Sequence, residues 1–312
     1  MPENILFPPE GLTPQPAFSF SVSSLRDAME RGDVLEAVAQ RCDPQQNLHF
    51  TLGPVTGILP RAEALSPWIS GAEREISVIS KVGKQICFTV TSLESDEKGA
   101  PVARLSRKIP QEQALDALLK LPPGAVVAAR VTHLAPFGAF LDVGRGVVAM
   151  LPIEQISVAR ISHPKDRFQV GQKILAAVLS IDQKKHRLTM THKELLGTWM
   201  ENASWFTPGE TVRGIVRSVK EYGSFVELTP NLSGLADARE GLSPGDHVSV
   251  YVKSIRPERM KIKLQIIERL PPDPTPPPLR YQITDGVLEH WVYSPPNYTG
   301  APVETVFKAA LP

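Results

Sequence analysis

The chain has 312 residues, 42% of them hydrophobic and 21% charged, enough apolar material for two or more cores and too much for wholesale disorder. A formal net charge of only +1 excludes capture of nucleic acid by one global positive field, so charge has to be counted region by region. No apolar run approaches the ~18 residues of a membrane helix, and the N-terminus shows no basic segment followed by an apolar core.

In chain order, residues 1–23 read as a flexible tail, because Pro2, Pro8, Pro9, Pro14 and Pro16 remove backbone donors and favour extended chain. Residues 24–108 read as a first, degenerate β unit, with Val82-Gly83 leading into the strand-like Ile86–Val90. A helical linker is predicted over 109–123, where Ala114, Leu115, Leu118 and Leu119 fall at helical spacing before Pro122-Pro123. Residues 124–190 form a second β unit, in which Val127, Ala129 and Val131 alternate with Ala128, Arg130 and Thr132. A linker helix is expected over 191–208, its Leu195, Leu196, Trp199 and Trp205 setting the angle between units. A third β unit spans 209–268. A proline-rich spacer follows at 269–280, and then an extension, 281–312, in which Asp285-Gly286 between apolar stretches reads as a hairpin turn. An isolated hairpin is marginal in water, so this one is expected to dock on a barrel or a partner.

The second and third units repeat each other. Gly124–Val143 aligns without a gap on Gly209–Leu228, an offset of 85 that takes Phe137-Gly138-Ala139-Phe140 onto Tyr222-Gly223-Ser224-Phe225. A second block, Val170–Ile181, aligns on Pro244–Ile255 at an offset of 74. The repeated glycine predicts a bulge or sharp bend. About five short strands in each unit predict an all-β protein of three tandem OB-type barrels. In the first unit the aromatic-Gly-x-aromatic core is missing, and the stretch reads Asn47-Leu48-His49-Phe50.

These blocks resemble the S1-type RNA-binding domain, and the wording of Ser157–Phe168 and Thr191–Trp199 looks like the short ribosomal protein S1 homologues of Gram-positive anaerobes. The resemblance covers about residues 24–268 and is strongest from 124 onward. It implies single-stranded RNA, mRNA in particular, as partner, association with the small ribosomal subunit, and a cytoplasmic setting. It also implies base stacking by Phe137 and Phe140 and by Tyr222 and Phe225, with a basic residue opening the last strand at Arg187, Lys261 and Arg104. The family often holds a histidine where this chain has Pro152 and Asp237.

Charge gives an argument independent of the family. Residues 124–196 hold ten Lys/Arg against five Asp/Glu, residues 209–268 nine against eight, and residues 1–108 eleven against thirteen. The basic excess thus coincides with a complete aromatic pair, and the acidic unit is the one without. Aromatic faces beside cations are what single-strand binding requires. Candidate RNA contacts are therefore Phe137, Phe140, Arg130, Arg160, His163, Arg167, Lys185 and Arg187 in the second unit. In the third they are Tyr222, Phe225, Arg213, Arg217, Lys220 and Lys261. Against each stands an ordinary reading, in which strand aromatics are core and strand arginines are solvated charges. Cys42 and Cys87 lack metal-ligand spacing, and no histidine sits in a zinc motif. No enzyme, cofactor, metal, membrane or small-molecule substrate is predicted. Two alternatives stay open: a ribosome-independent RNA chaperone or regulator, and a protein-interaction scaffold that binds no RNA.

Overall fold

A computed structural model describes residues 7–11, 20–68, 75–273 and 278–308. The first unit opens with helix α1 (Val22–Arg31). Ser21 caps it reciprocally with Ser24, and Gly32 ends it at φ +69°. Strands β1 (Leu35–Val38), β2 (Arg41–Cys42), β3 (Leu48–Leu52) and β4 (Val55–Leu59) follow. After a short helix α2 (Ile76–Ile79) come β5 (Gln85–Ser95) and β6 (Pro101–Ser106). Their order in the sheet is β1-β5-β6-β4-β3-β2. This is the strand order of a five-stranded barrel whose first strand has been cut in two. At the cut, Ala39 bonds to Gly83 and Lys84 on one side, and the Gln40 N–H turns to His49 on the other. The core is enclosed all the same, with Phe50 and Phe88 buried and their rings 5.4 Å apart.

Helix α3 (Lys108–Leu118) leads into barrel two and packs Ala114, Leu115 and Leu118 into that barrel's core. Barrel two comprises β7 (Val126–Ala135), β8 (Gly138–Asp142), β9 (Val148–Pro152), β10 (Lys173–Asp182) and β11 (Arg187–Thr191), closed in the order β10-β11-β9-β8-β7. Barrel three repeats it with β12 (Thr211–Lys220), β13 (Gly223–Thr229), β14 (Leu232–Ala236), β15 (His247–Arg256) and β16 (Lys261–Arg269). In both, the long first strand pairs with two neighbours and a parallel contact, β9 to β11 or β14 to β16, shuts the barrel. Closure leaves no free sheet edge, which suits small barrels set side by side.

The repeated glycine opens the second strand of each barrel, and the register shift falls on the facing first strand, between Val131 and His133 and between Val216 and Ser218. A Cβ at Gly138 would lie 2.4 Å from the Leu151 carbonyl oxygen, and one at Gly223 would lie 2.3 Å from that of Ala236. Glycine is therefore required where the second and third strands close together behind the ring-bearing loop.

Two sequence expectations need revision. Within the expected tail, residues 7–11 are packed between the first unit and barrel two, while 1–6 and 12–19 lie outside the described residues. There Glu10 is buried and takes both oxygens to Arg107, at 2.6 and 2.7 Å. Asp285-Gly286 is likewise not a hairpin turn. The Gly286 carbonyl accepts from Val126, and the Leu288 N–H donates to Gly124, so this stretch lies along the start of barrel two. The extension's two-stranded sheet joins β17 (His290–Val292) to β18 (Glu304–Val306) through an eleven-residue connection. Docking on a barrel is observed: Trp291 and Tyr293 enter the core of barrel three beside Trp199 of helix α4 (Trp199–Ala203). The Tyr293 hydroxyl donates to the Asn231 carbonyl, and the Trp199 N–H donates to that of Tyr293. Trp199 therefore works as packing, at a gain of roughly 1.5–3 kcal/mol for a large apolar side chain taken out of water.

Candidate nucleic-acid interface

The loop between β7 and β8 lifts Phe137 into solvent at 58% exposure, and the outward face of β8 carries Phe140, half-buried beneath it. The two rings meet edge to face with centroids 6.0 Å apart. Barrel three repeats this with Tyr222, 66% exposed, and Phe225, 36% exposed, at 6.3 Å and 89°. Neither pair belongs to a buried core, and edge-to-face packing leaves one broad face of a ring free for a flat partner.

The strand register extends each pair into a row. Phe140 lies opposite Met150, and Met150 lies beside Thr189. In barrel three Phe225 lies opposite Leu235, and Leu235 beside Lys263. On the other side of Phe140 stands His133, exposed, its ring centroid 5.9 Å away. Strict alternation along β7 assigns His133 to the interior. The register shift after Val131 turns it out, so period-two counting passes over it. Its repeat counterpart is Ser218, so the three-ring row belongs to barrel two alone.

The cations divide into two sets. Lys185 and Arg187 are exposed at the turn into β11 and at its start, and Lys261 is exposed at the start of β16. Lys220 is exposed at the end of β12, beside Tyr222, on a groove of about 970 Å³ that Arg239 and Leu242 also line. Arg160 is exposed in the loop after β9, and Arg213 is exposed on the stretch of β12 that pairs with β15, opposite Ser249. Arg167 and Arg217, by contrast, are taken up by carboxylates. Arg167 is fully buried, with two bonds to Glu227 at 2.6 and 2.9 Å. Arg217 bonds the same carboxylate at 2.7 Å, and Asp166 lies 4.0 Å away. Both guanidiniums are committed to the seam between barrels two and three. His163 caps a short helical turn, its Nδ1 accepting from the Lys165 N–H, and Asp166 gathers the same loop through Ser162. Arg130 is half-buried and donates to the Glu10 carbonyl at 2.8 Å, on the side facing the first unit.

In the first unit Phe50 is core and His49 holds the position of Phe140, opposite Ile58. His49 is tied to Asp43 at 2.8 Å and is nearly buried. Arg104 lies beside Ile58, which makes it the counterpart of Lys263 rather than of Lys261. It lies 3.4 Å from Glu94. Among the described residues no three His, Cys, Asp or Glu side chains gather where a metal ion could sit. No described helix is long and apolar enough to cross a membrane.

With this geometry in view, residues 120–193 match the sequence model of the family described as the S1 RNA binding domain. The matched segment is barrel two with the end of the helix before it. The chain is 33% identical over 219 residues to small ribosomal subunit protein bS1 of Leuconostoc lactis, covering 64% of this chain and 50% of that one. It is 29% identical over 206 residues to the bS1 homolog of Bacillus subtilis, covering 61% and 53%. It therefore spans about half the length of these curated relatives. Among solved structures, a multidomain protein with nucleic acid binding domains from Streptococcus pneumoniae aligns over 76% of this chain and 73% of its own, at 14% identity and a TM-score of 0.26. The S1 match covers the barrel with three rings in a row, and barrel three repeats the S1 strand order and ring pair without being part of the matched segment.

Proposed function

We propose that this chain binds single-stranded RNA, mRNA at the small ribosomal subunit in particular, by stacking bases on the exposed ring pairs of barrels two and three. One observation carries the reading. Two adjacent barrels expose an aromatic pair at the turn into the second strand, at centroid distances of 6.0 and 6.3 Å and nearly the same perpendicular angle, with a cation at the start of the last strand, one strand beyond the third. Core packing does not require large rings left open to water, whereas a base needs such a face and gains roughly 1–3 kcal/mol by stacking on it. The likeness to bS1 proteins supports the ribosomal setting. Barrel two is the principal reader, because it adds His133 and keeps Lys185 and Arg187 free of buried partners. Barrel three is an auxiliary reader on the same strand, and two weak sites in tandem raise affinity through effective concentration.

The test is a fluorescence-anisotropy titration of the whole chain with a labelled oligouridylate. Phe140→Ala is expected to weaken binding by about 1–3 kcal/mol, and Phe225→Ala by less. Affinity should fall linearly with salt on logarithmic axes. Unchanged affinity in the combined Phe137→Ala, Phe140→Ala variant would refute stacking, and failure to co-sediment with small subunits would refute the ribosomal setting.

A further inference from the structure

Beyond the ring rows stands an aromatic side chain that the repeat does not contain. Trp68 belongs to the first unit, in the loop after β4, and is 55% exposed. Its ring lies 4.6 Å from that of His186 in the β10–β11 turn of barrel two, tilted by 37°. One unit thus stacks on a loop of the next, and most of the larger ring stays open.

The position of His186 relates this contact to the rings. Strands β9 and β11 run parallel, with Met150 beside Thr189. Two residues back along each lie Val148, which is 41% exposed, and Arg187, which is exposed. His186 is the next residue back, about 10 Å from Thr189 at ~3.3 Å per strand residue. The outer surface therefore continues from Phe137 and Phe140 over Met150 and Thr189 to Arg187, and then across His186 to Trp68. In OB-type barrels the loop into the last strand is one of those that border a bound strand. Lys184 and Lys185 are exposed on this same turn.

Both ends of the contact are fixed to one element. The Gln183 side chain donates to the Leu119 carbonyl at the C-terminal end of α3. At the other end of α3, Gln111 accepts the Ser66 N–H at 3.1 Å, and the Ser66 hydroxyl donates to Glu112. Trp68 and His186 are thus held against the same helix, and the stack needs no ordering when a ligand arrives.

We propose that Trp68 is a stacking platform for single-stranded RNA that leaves the ring face of barrel two over the β10–β11 turn, so that the first unit takes part in binding. This rests on the reading that barrel two binds RNA. The occupant is a single strand because flat rings stand at both ends of the approach and Lys184, Lys185 and Arg187 border it; Asp182 on the same turn is faced by Lys185 at 3.9 Å, and Glu112 accepts from the Ser66 hydroxyl.

The chain's tryptophans allow a direct test. Trp199 and Trp291 are buried, and Trp205 is half-buried with the Arg280 guanidinium 4.8 Å over its ring, which leaves Trp68 as the exposed reporter. The full chain is titrated with two oligouridylates, one short enough to cover only the ring face and one long enough to run past the turn. Expected is quenching of tryptophan emission by the long oligomer alone, abolished in Trp68→Phe. Trp68→Ala should weaken the long oligomer by roughly five-fold or more and leave the short one unchanged, as loss of one base stack requires. Tight binding of the long oligomer with no quenching, or equal affinity for it in Trp68→Ala, overturns the proposal and leaves the ring faces standing. If the unaltered chain binds neither oligomer, the RNA reading itself fails.

Discussion

In barrel two Asp142 is buried and accepts three backbone N–H bonds, from Glu10 at 2.9 Å, Gly144 at 2.9 Å and Gly146 at 3.0 Å. Its repeat counterpart in barrel three, Glu227, is equally buried but faces two guanidiniums, Arg167 from barrel two and Arg217 from its own first strand. The same acid position thus joins each barrel to the unit before it by different means. At Asp142 the tie is made by backbone amides, one of them from a strap of chain at residues 7–11 whose Glu10 side chain pairs with Arg107; at Glu227 it is made by side-chain ions. The contrast separates two tasks that looked alike in the sequence. The ring rows face outward to meet a ligand, while the repeat's inner acid sets how neighbouring barrels stand, and so whether two ring rows can serve one strand.

The largest effect is expected where charges are buried. Glu227→Gln strands the buried Arg167 without a counter-ion and leaves Arg217 only Asp166 at 4.0 Å, which should cost about 3–5 kcal/mol, read as a lowered denaturant midpoint. Asp142→Asn keeps one oxygen for Gly144 and Gly146 and turns an amide toward the Glu10 N–H. That should cost about 1–3 kcal/mol, with faster hydrogen exchange confined to the 7–11 strap and the turn at 144–146. Equal losses in the two variants would remove the distinction between an ionic and an amide seam.

Titration sharpens the same contrast. Burial and the neighbouring Glu10 carboxylate push Asp142 up to about 7. Burial would raise Glu227 too, but Arg167 and Arg217 outweigh it and hold the group below its ordinary 4.5. A raised carboxyl takes up its proton in the folded chain first, so the Asp142 contribution to stability grows as pH falls through about 7, by about 1 kcal/mol over the first unit below it. The Glu227 contribution is complete above 4.5 and is lost only as pH falls further. Carboxyl-carbon NMR should show Asp142 titrating near neutrality and Glu227 silent there; a neutral-range transition at Glu227 would contradict the assignment.

What was legible in the sequence follows the range of the interaction. Barrels two and three were readable because closure depends on local alternation and on a glycine whose missing Cβ lets two strands approach, and both recur at a fixed offset. The exposed rings were readable for the same reason. The burial of Arg167 leaves no local sign, because its partner lies 60 residues away in another barrel, and a guanidinium in a loop looks the same in sequence whether it awaits phosphate or is buried on Glu227. Glu10 escaped notice inside a proline-rich stretch for want of any local sign of Arg107, 97 residues on. His133 was hidden by a one-residue register shift, and the split first strand by a connection at Ala39 and Gln40 that no periodicity marks.

The smallest expected effect lies on the ring faces, where the two barrels differ by single charges. Barrel two has Pro152 opposite Gly138. Barrel three has Asp237 just past β14, 3.1 Å from Lys253 and 3.9 Å from Lys263, and these two lysines hold its carboxyl below the usual range. A carboxylate there occupies two cations that would otherwise meet phosphates, while barrel two carries no acid at that place. Asp237→Asn should therefore strengthen oligouridylate binding a few-fold and steepen the logarithmic salt slope by about 1, as release of one more counterion predicts. The reciprocal Pro152→Asp should weaken binding by a similar factor, since it brings a carboxylate beside Phe137 with no lysine placed to neutralise it. If exchanging these two residues moves neither affinity nor slope, ring number alone ranks the barrels, and His133→Ala in barrel two becomes the substitution that brings them level.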